Sequence, residues 1–111
     1  MTGSRKNYEL AINETSIATR SKSEIKEPKL YKVLIHNDDY TPMEFVVLVL
    51  KEIFNKDATL ATKIMLDVHN KGVGVCGIYP LEIAETKMNL VLRKAREKEF
   101  PLRCTLEVEQ N

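Results

Sequence analysis

The stretch from Thr41 to Leu50, TPMEFVVLVL, decides the fold. From Phe45 onward it is β-branched and apolar, and by itself would pass for a buried strand. Its first four residues overrule that. Thr41, Pro42, Met43 and Glu44 form T-x-x-E, a capping box with proline at the first helical position, so the chain is told to start a helix. Met43, Val46, Val47, Leu50, Ile53 and Phe54 then recur at helical spacing. Apart from Glu44, Lys51 and Glu52 this helix is apolar nearly all round. An exposed residue on it, such as Met43 or Val46, would therefore have a use beyond the core.

Outward from this helix the remaining elements follow from pattern. Upstream, after Pro28, Leu30 to Ile35 (LYKVLI) is an apolar run of strand length. Downstream, Asp57 caps a second helix that runs to about Asn70, with Leu60, Ile64 and Val68 as its stripe and Gly72 as its stop. GVGVCGIYP reads as a short strand whose glycines allow close backbone approach. A third helix spans Pro80 to about Glu99 with Ala84, Met88, Val91 and Ala95 on one face. The end, LRCTLEVE, alternates: Leu102, Cys104, Leu106 and Val108 inward, Arg103, Thr105, Glu107 and Glu109 outward. The order β-α-α-β-α-β predicts an α+β two-layer domain, a three-stranded antiparallel sheet with three helices on one face.

The chain has 111 residues, enough for one domain, and a formal charge of +1, which gives no basic field for nucleic acid or a membrane surface. The first 29 residues hold six Lys/Arg and four acids with scattered apolar residues, leaving eleven and twelve in the remainder. We expect a flexible N-terminal tail over 1–29 and a core domain over 30–111. Cys76 and Cys104 are too far apart for a CxxC motif, and each lies in an apolar run where a reduced thiol acts as a small hydrophobe. No secretory signal or membrane-length apolar run is present, which predicts a soluble, cytoplasmic protein.

Between the first strand and the first helix stand His36, Asn37, Asp38 and Asp39. Turn chemistry accounts for part of this cluster, since Asn and Asp satisfy turn backbone and Thr41 would cap the helix. His69, at the end of the second helix, suits the helix dipole. Turn chemistry leaves unexplained a surplus of acceptors beside an apolar helix face. A small metal-dependent hydrolase built on His36, Asp38, Asp39 and His69 is one alternative, but it lacks an evident nucleophile or an HExxH spacing. A structural α+β module is another, and it would need no pocket.

NDDYTPMEFV from Asn37 to Val46, HNKGVGVCGIYPLEIAETK from His69 to Lys87, and PLRCTLE from Pro101 to Glu107 resemble the ClpS family, the adaptors of the bacterial Clp protease. The resemblance covers about 80 residues, from Leu30 to the end. It implies a monomeric, non-enzymatic adaptor without a cofactor. Such an adaptor binds N-degrons, proteins whose first residue is Leu, Phe, Tyr or Trp, and delivers them to the N-terminal domain of the ClpA unfoldase for ClpP to degrade. By the same resemblance Asn37, Asp39 and His69 would hold the free α-amine. Ile35, Thr41, Met43, Val46, Met65 and Val68 would form the hydrophobic pocket, and Glu82 and Lys87 would face the unfoldase. Where the family usually has an apolar residue before NDD, this chain has His36.

Elementary chemistry agrees with that reading. An α-ammonium carries three donors and no acceptor, so seating it beside an apolar pocket requires acceptors in fixed places, at least one of them charged. Asn supplies a carbonyl oxygen, Asp a carboxylate and neutral His a ring nitrogen.

Overall fold

The structure, a computed structural model, describes residues 28–110. The tail expected over 1–29 lies outside the described residues except for Pro28 and Lys29. The elements are β1 (Leu30–His36), α1 (Met43–Glu52), α2 (Ala58–Lys71), β2 (Val73–Pro80), α3 (Leu81–Glu97) and β3 (Arg103–Val108). They form the expected α+β arrangement, with an antiparallel three-stranded sheet in the order β2-β1-β3.

The central strand sets the layers. Val33 and Ile35 are fully buried and point at the helices, with Phe45, Val49 and Leu50 of α1, Ile64 and Val68 of α2, and Val91 of α3 in the same core. Lys32, Leu34 and His36 alternate to the other face, as a period of two requires. In the register, Ile35 stands opposite Gly74 on one side and Cys104 on the other, and His36 opposite Val73 and Arg103.

α1 is a helix, but its start differs from the capping box. Pro42 is the cap residue with no side-chain cap bond, and its carbonyl accepts from the Phe45 and Val46 amides at 3.1 and 3.3 Å. The Thr41 hydroxyl instead donates to Asp38 Oδ2 at 2.8 Å. That bond uses the hydroxyl proton, and among the described residues no helix amide donates to the hydroxyl oxygen. Val46 is also core, only 5% exposed, whereas Met43 is 41% exposed, so Met43 alone of the two keeps a free surface.

α2 starts and stops as its sequence directs. Asp57 accepts the Leu60 amide at 2.8 Å, and Gly72 ends the helix in the left-handed region at φ 90. Its buried stripe is Ala61, Ile64 and Val68, with Leu60 turned outward at 41% exposure. Gly74 lets β2 approach α2 closely: a Cβ there would stand 2.7 Å from Val68 Cγ2 and 3.3 Å from the Ile64 carbonyl. This strand therefore lies directly under the end of α2.

Cys76 and Cys104 are free and buried. Burial pushes both thiols up, Cys104 to about 12. The thiolate is the reactive form, so iodoacetamide at neutral pH should label both cysteines slowly in the native protein and quickly in urea, read by mass spectrometry.

Candidate functional site

The loop between β1 and α1 is anchored at both ends. At its root the Asn37 amide donates to the Gly72 carbonyl at 2.9 Å, which ties the end of β1 to the residue that stops α2. His69 lies one turn before Gly72, so this bond brings the C-terminal turn of α2 beside Asn37. At the loop's far end Asp38 takes three donors, the Tyr40 and Thr41 amides on Oδ1 and the Thr41 hydroxyl on Oδ2, each at 2.8 Å.

Consecutive aspartates thus have different fates. Burial works to raise the Asp38 carboxyl, but the amides of Thr41 and Tyr40 and the Thr41 hydroxyl outweigh it and hold the group below the ordinary carboxylate range. Its stabilisation is present above the ordinary value and is lost as pH falls through the lowered one. Asn37, Asp39 and His69 are all exposed. Among the described residues no side-chain hydrogen bond or ion pair engages any of the three. Asp38→Ala should therefore act on the loop, lowering stability by about 1 to 2 kcal/mol in urea denaturation, since it strands amides that the carboxylate satisfied.

His36 belongs to the opposite face. Its Nε2 lies 2.7 Å from Thr105 Oγ1, joining β1 to β3 across the outer side of the sheet. Burial, and then the Arg103 guanidinium, hold this ring below the usual histidine value of 6.5. The unfolded chain takes the proton first, so the stability of the neutral ring is whole above that value and declines below it. His36 is thereby separated from Asp39 and His69. Among the described residues no group of three His, Cys, Asp or Glu side chains is placed to hold a metal ion.

The six expected pocket residues differ in burial. Ile35, Val46 and Val68 are buried in the core at 0%, 5% and 3% exposure; Thr41 and Met65 are half-buried and Met43 is exposed. Five surface concavities are lined by other residues, none by these six.

The two residues expected at the unfoldase differ in availability. Glu82 is exposed in the first turn of α3. Lys87 is half-buried: its ammonium donates to the Ile53 carbonyl at 2.8 Å and stands 5.8 and 5.2 Å from the Phe54 and Tyr79 ring centres. That bond satisfies a carbonyl at the end of α1, where a cation is favoured by the helix dipole. Sequence reading did not find this use of Lys87, the Thr105 partner of His36, or Tyr40, whose ring is 78% exposed at the loop tip. Only the Asp38-x-x-Thr41 spacing carried a local signal for its bonds.

Comparison with known proteins gives consistent results. Residues 26–105 match the family model described as ATP-dependent Clp protease adaptor protein ClpS. An ATP-dependent Clp protease adapter protein ClpS of Rhodospirillum centenum is 55% identical over 93 residues, covering 84% of this chain and 86% of that one. The ClpS of Caulobacter vibrioides is 56% identical over 93 residues, 84% and 85% of the two chains. Among solved structures, Agrobacterium tumefaciens ClpS2 bound to L-phenylalaninamide superposes with a TM-score of 0.72 at 42% identity, covering 75% of this chain and all of that one. A reduced sheet-and-helix core, a pinned NDD loop and these matched residues lead to one assignment: the chain belongs to the ClpS family of Clp protease adaptors.

Proposed function

We propose that this chain binds proteins bearing a bulky hydrophobic N-terminal residue, Leu, Phe, Tyr or Trp, and delivers them to the ClpA unfoldase of the ClpAP protease. The observation that carries the reading is the division of labour in the loop. Asp38 is consumed by donors within the loop, while the side chains of Asn37, Asp39 and His69 are exposed and unengaged among the described residues, and the bond from the Asn37 amide to the Gly72 carbonyl ties the loop to the end of α2 that carries His69.

In this reading the three acceptors take the three donors of the α-ammonium, and the first side chain lies over Ile35, Val46 and Val68 between Met43, Thr41 and Met65. The ligand of the Agrobacterium ClpS2 structure is of the matching chemical kind, an aromatic side chain next to a free amine. Polar atoms test for the free terminus and the apolar floor tests for the side chain. Glu82 faces the unfoldase; Lys87, holding the end of α1 with one donor, presents its remaining donors along the same surface.

The experiment is a titration of a peptide beginning with Phe against its N-acetylated twin. Acetylation removes the charge and two donors, so only the free-amine peptide should bind. Equal affinities would sink the amine site. Delivery is read separately: Glu82→Lys should leave peptide binding intact and slow degradation of a Phe-initiated reporter by ClpAP. Unchanged degradation would remove Glu82 from the unfoldase surface.

A further inference from the structure

The edge strand β3 carries features that the amine site does not use. β3 pairs with β1 on one side only, and among the described residues no strand covers its other edge. A groove of about 320 Å³ runs along that edge, walled by the consecutive residues Pro101 to Thr105 and, from the helical layer, by Leu92, Arg96 and Phe100. Successive strand residues point to opposite faces, so a cavity that touches all of them meets the backbone edge itself.

The charge in this groove has one sign. Arg96 and Arg103 line it, and no acid does. An adjoining concavity shares Leu92 and Arg96 and adds Arg93, with Glu97 as its single acid. None of the three arginines forms an ion pair among the described residues. The field of Arg103 also reaches His36 and the Asp38 carboxylate at the end of β1. Glu107, the acid of β3 on the outer face, lines a different concavity with Lys32 and Lys71. Charged side chains often protect an edge strand from pairing, but protection needs neither a groove nor cations of one sign.

We propose that this groove binds an extended acidic segment of another polypeptide, added to β3 as a fourth strand. Backbone amides of β3 would bond the incoming strand, and its carboxylates would meet Arg96 and Arg103, which flank the groove from helix and strand. The first 29 residues of this chain, with six cations against four acids, lack the complementary charge, so the occupant is a separate protein. The proposal does not depend on the amine site, which lies at the β1–α1 loop.

The test titrates a short peptide of alternating glutamate and valine against the full chain, followed by amide NMR shifts. Saturable binding is expected, with shifts concentrated from Arg103 to Thr105 and on Arg96. Arg96→Glu with Arg103→Glu should weaken it by about tenfold or more, as should added salt. Both arginines are exposed, so the fold should persist, and a urea titration of the same variant checks it. A twin peptide methylated on alternate backbone nitrogens keeps its charge but cannot add as a strand, and should not bind. Equal binding of that twin, equal binding of a lysine-valine peptide, or no saturable binding would each overturn the proposal. Shifts confined to the β1–α1 loop would overturn it as well.

Discussion

Asp39→Ala should lower affinity for a Phe-initiated peptide by about 2 to 5 kcal/mol, the range for truncating one member of a hydrogen-bonded charge pair that becomes buried when the peptide binds. The cost arises because the ammonium remains in place with its desolvation unrelieved. Asp38→Ala should cost clearly less, since all three of its bonds serve the loop. Isothermal titration of both variants decides it, and equal losses would mean that the amine is not read by Asp39.

Comparison of expected and observed elements shows where sequence was informative. Every element was legible because each had a local cause: the Asp57 cap and Gly72 stop of α2, the strict alternation of β3, the helical spacing after Met43. The start of α1 was legible in place but not in mechanism. T-x-x-E casts Thr41 as the cap, yet Pro42 takes that place and the Thr41 hydroxyl donates to Asp38, three residues earlier. Two local motifs overlap on one residue, and spacing does not rank them. Leu60 was misread for a related reason. A stripe at i, i+4 has two possible phases, and tertiary packing decides which of Leu60 and Ala61 is buried.

Of the candidate site, Asn37 and Asp39 stand out locally as surplus acceptors in a turn, whereas the loop meets the helix end that carries His69 through the bond from the Asn37 amide to the Gly72 carbonyl. That pairing spans two elements and leaves no local trace. The roles of Lys87 and His36 were likewise invisible, since their partners, Ile53 and Thr105, are distant in sequence.

Met43→Ala should broaden the set of accepted N-terminal residues. Met43 begins α1, directly after the loop that carries Asn37 and Asp39, and is 41% exposed while its neighbours Phe45 and Val46 are buried. In the proposed site its unbranched side chain forms the wall nearest the peptide backbone. A substrate branched at Cβ would meet that wall, whereas Leu, branched one carbon later, would clear it. One misplaced methyl in such a pocket is worth about 1 to 3 kcal/mol. The wild type should therefore bind Phe and Leu peptides and reject Ile and Val, and the alanine variant should gain Ile and Val by about that amount. Binding of Phe and Leu should persist, because Asn37, Asp39 and His69 are untouched. Fluorescence anisotropy with peptides that differ only in the first residue measures both halves. Stability should change little, since Met43 is not part of the buried core, and a urea titration alongside separates a lost wall from a loosened helix. If the variant still excludes Ile and Val, the discrimination comes from the floor of Ile35, Val46 and Val68, and Met43 only covers it.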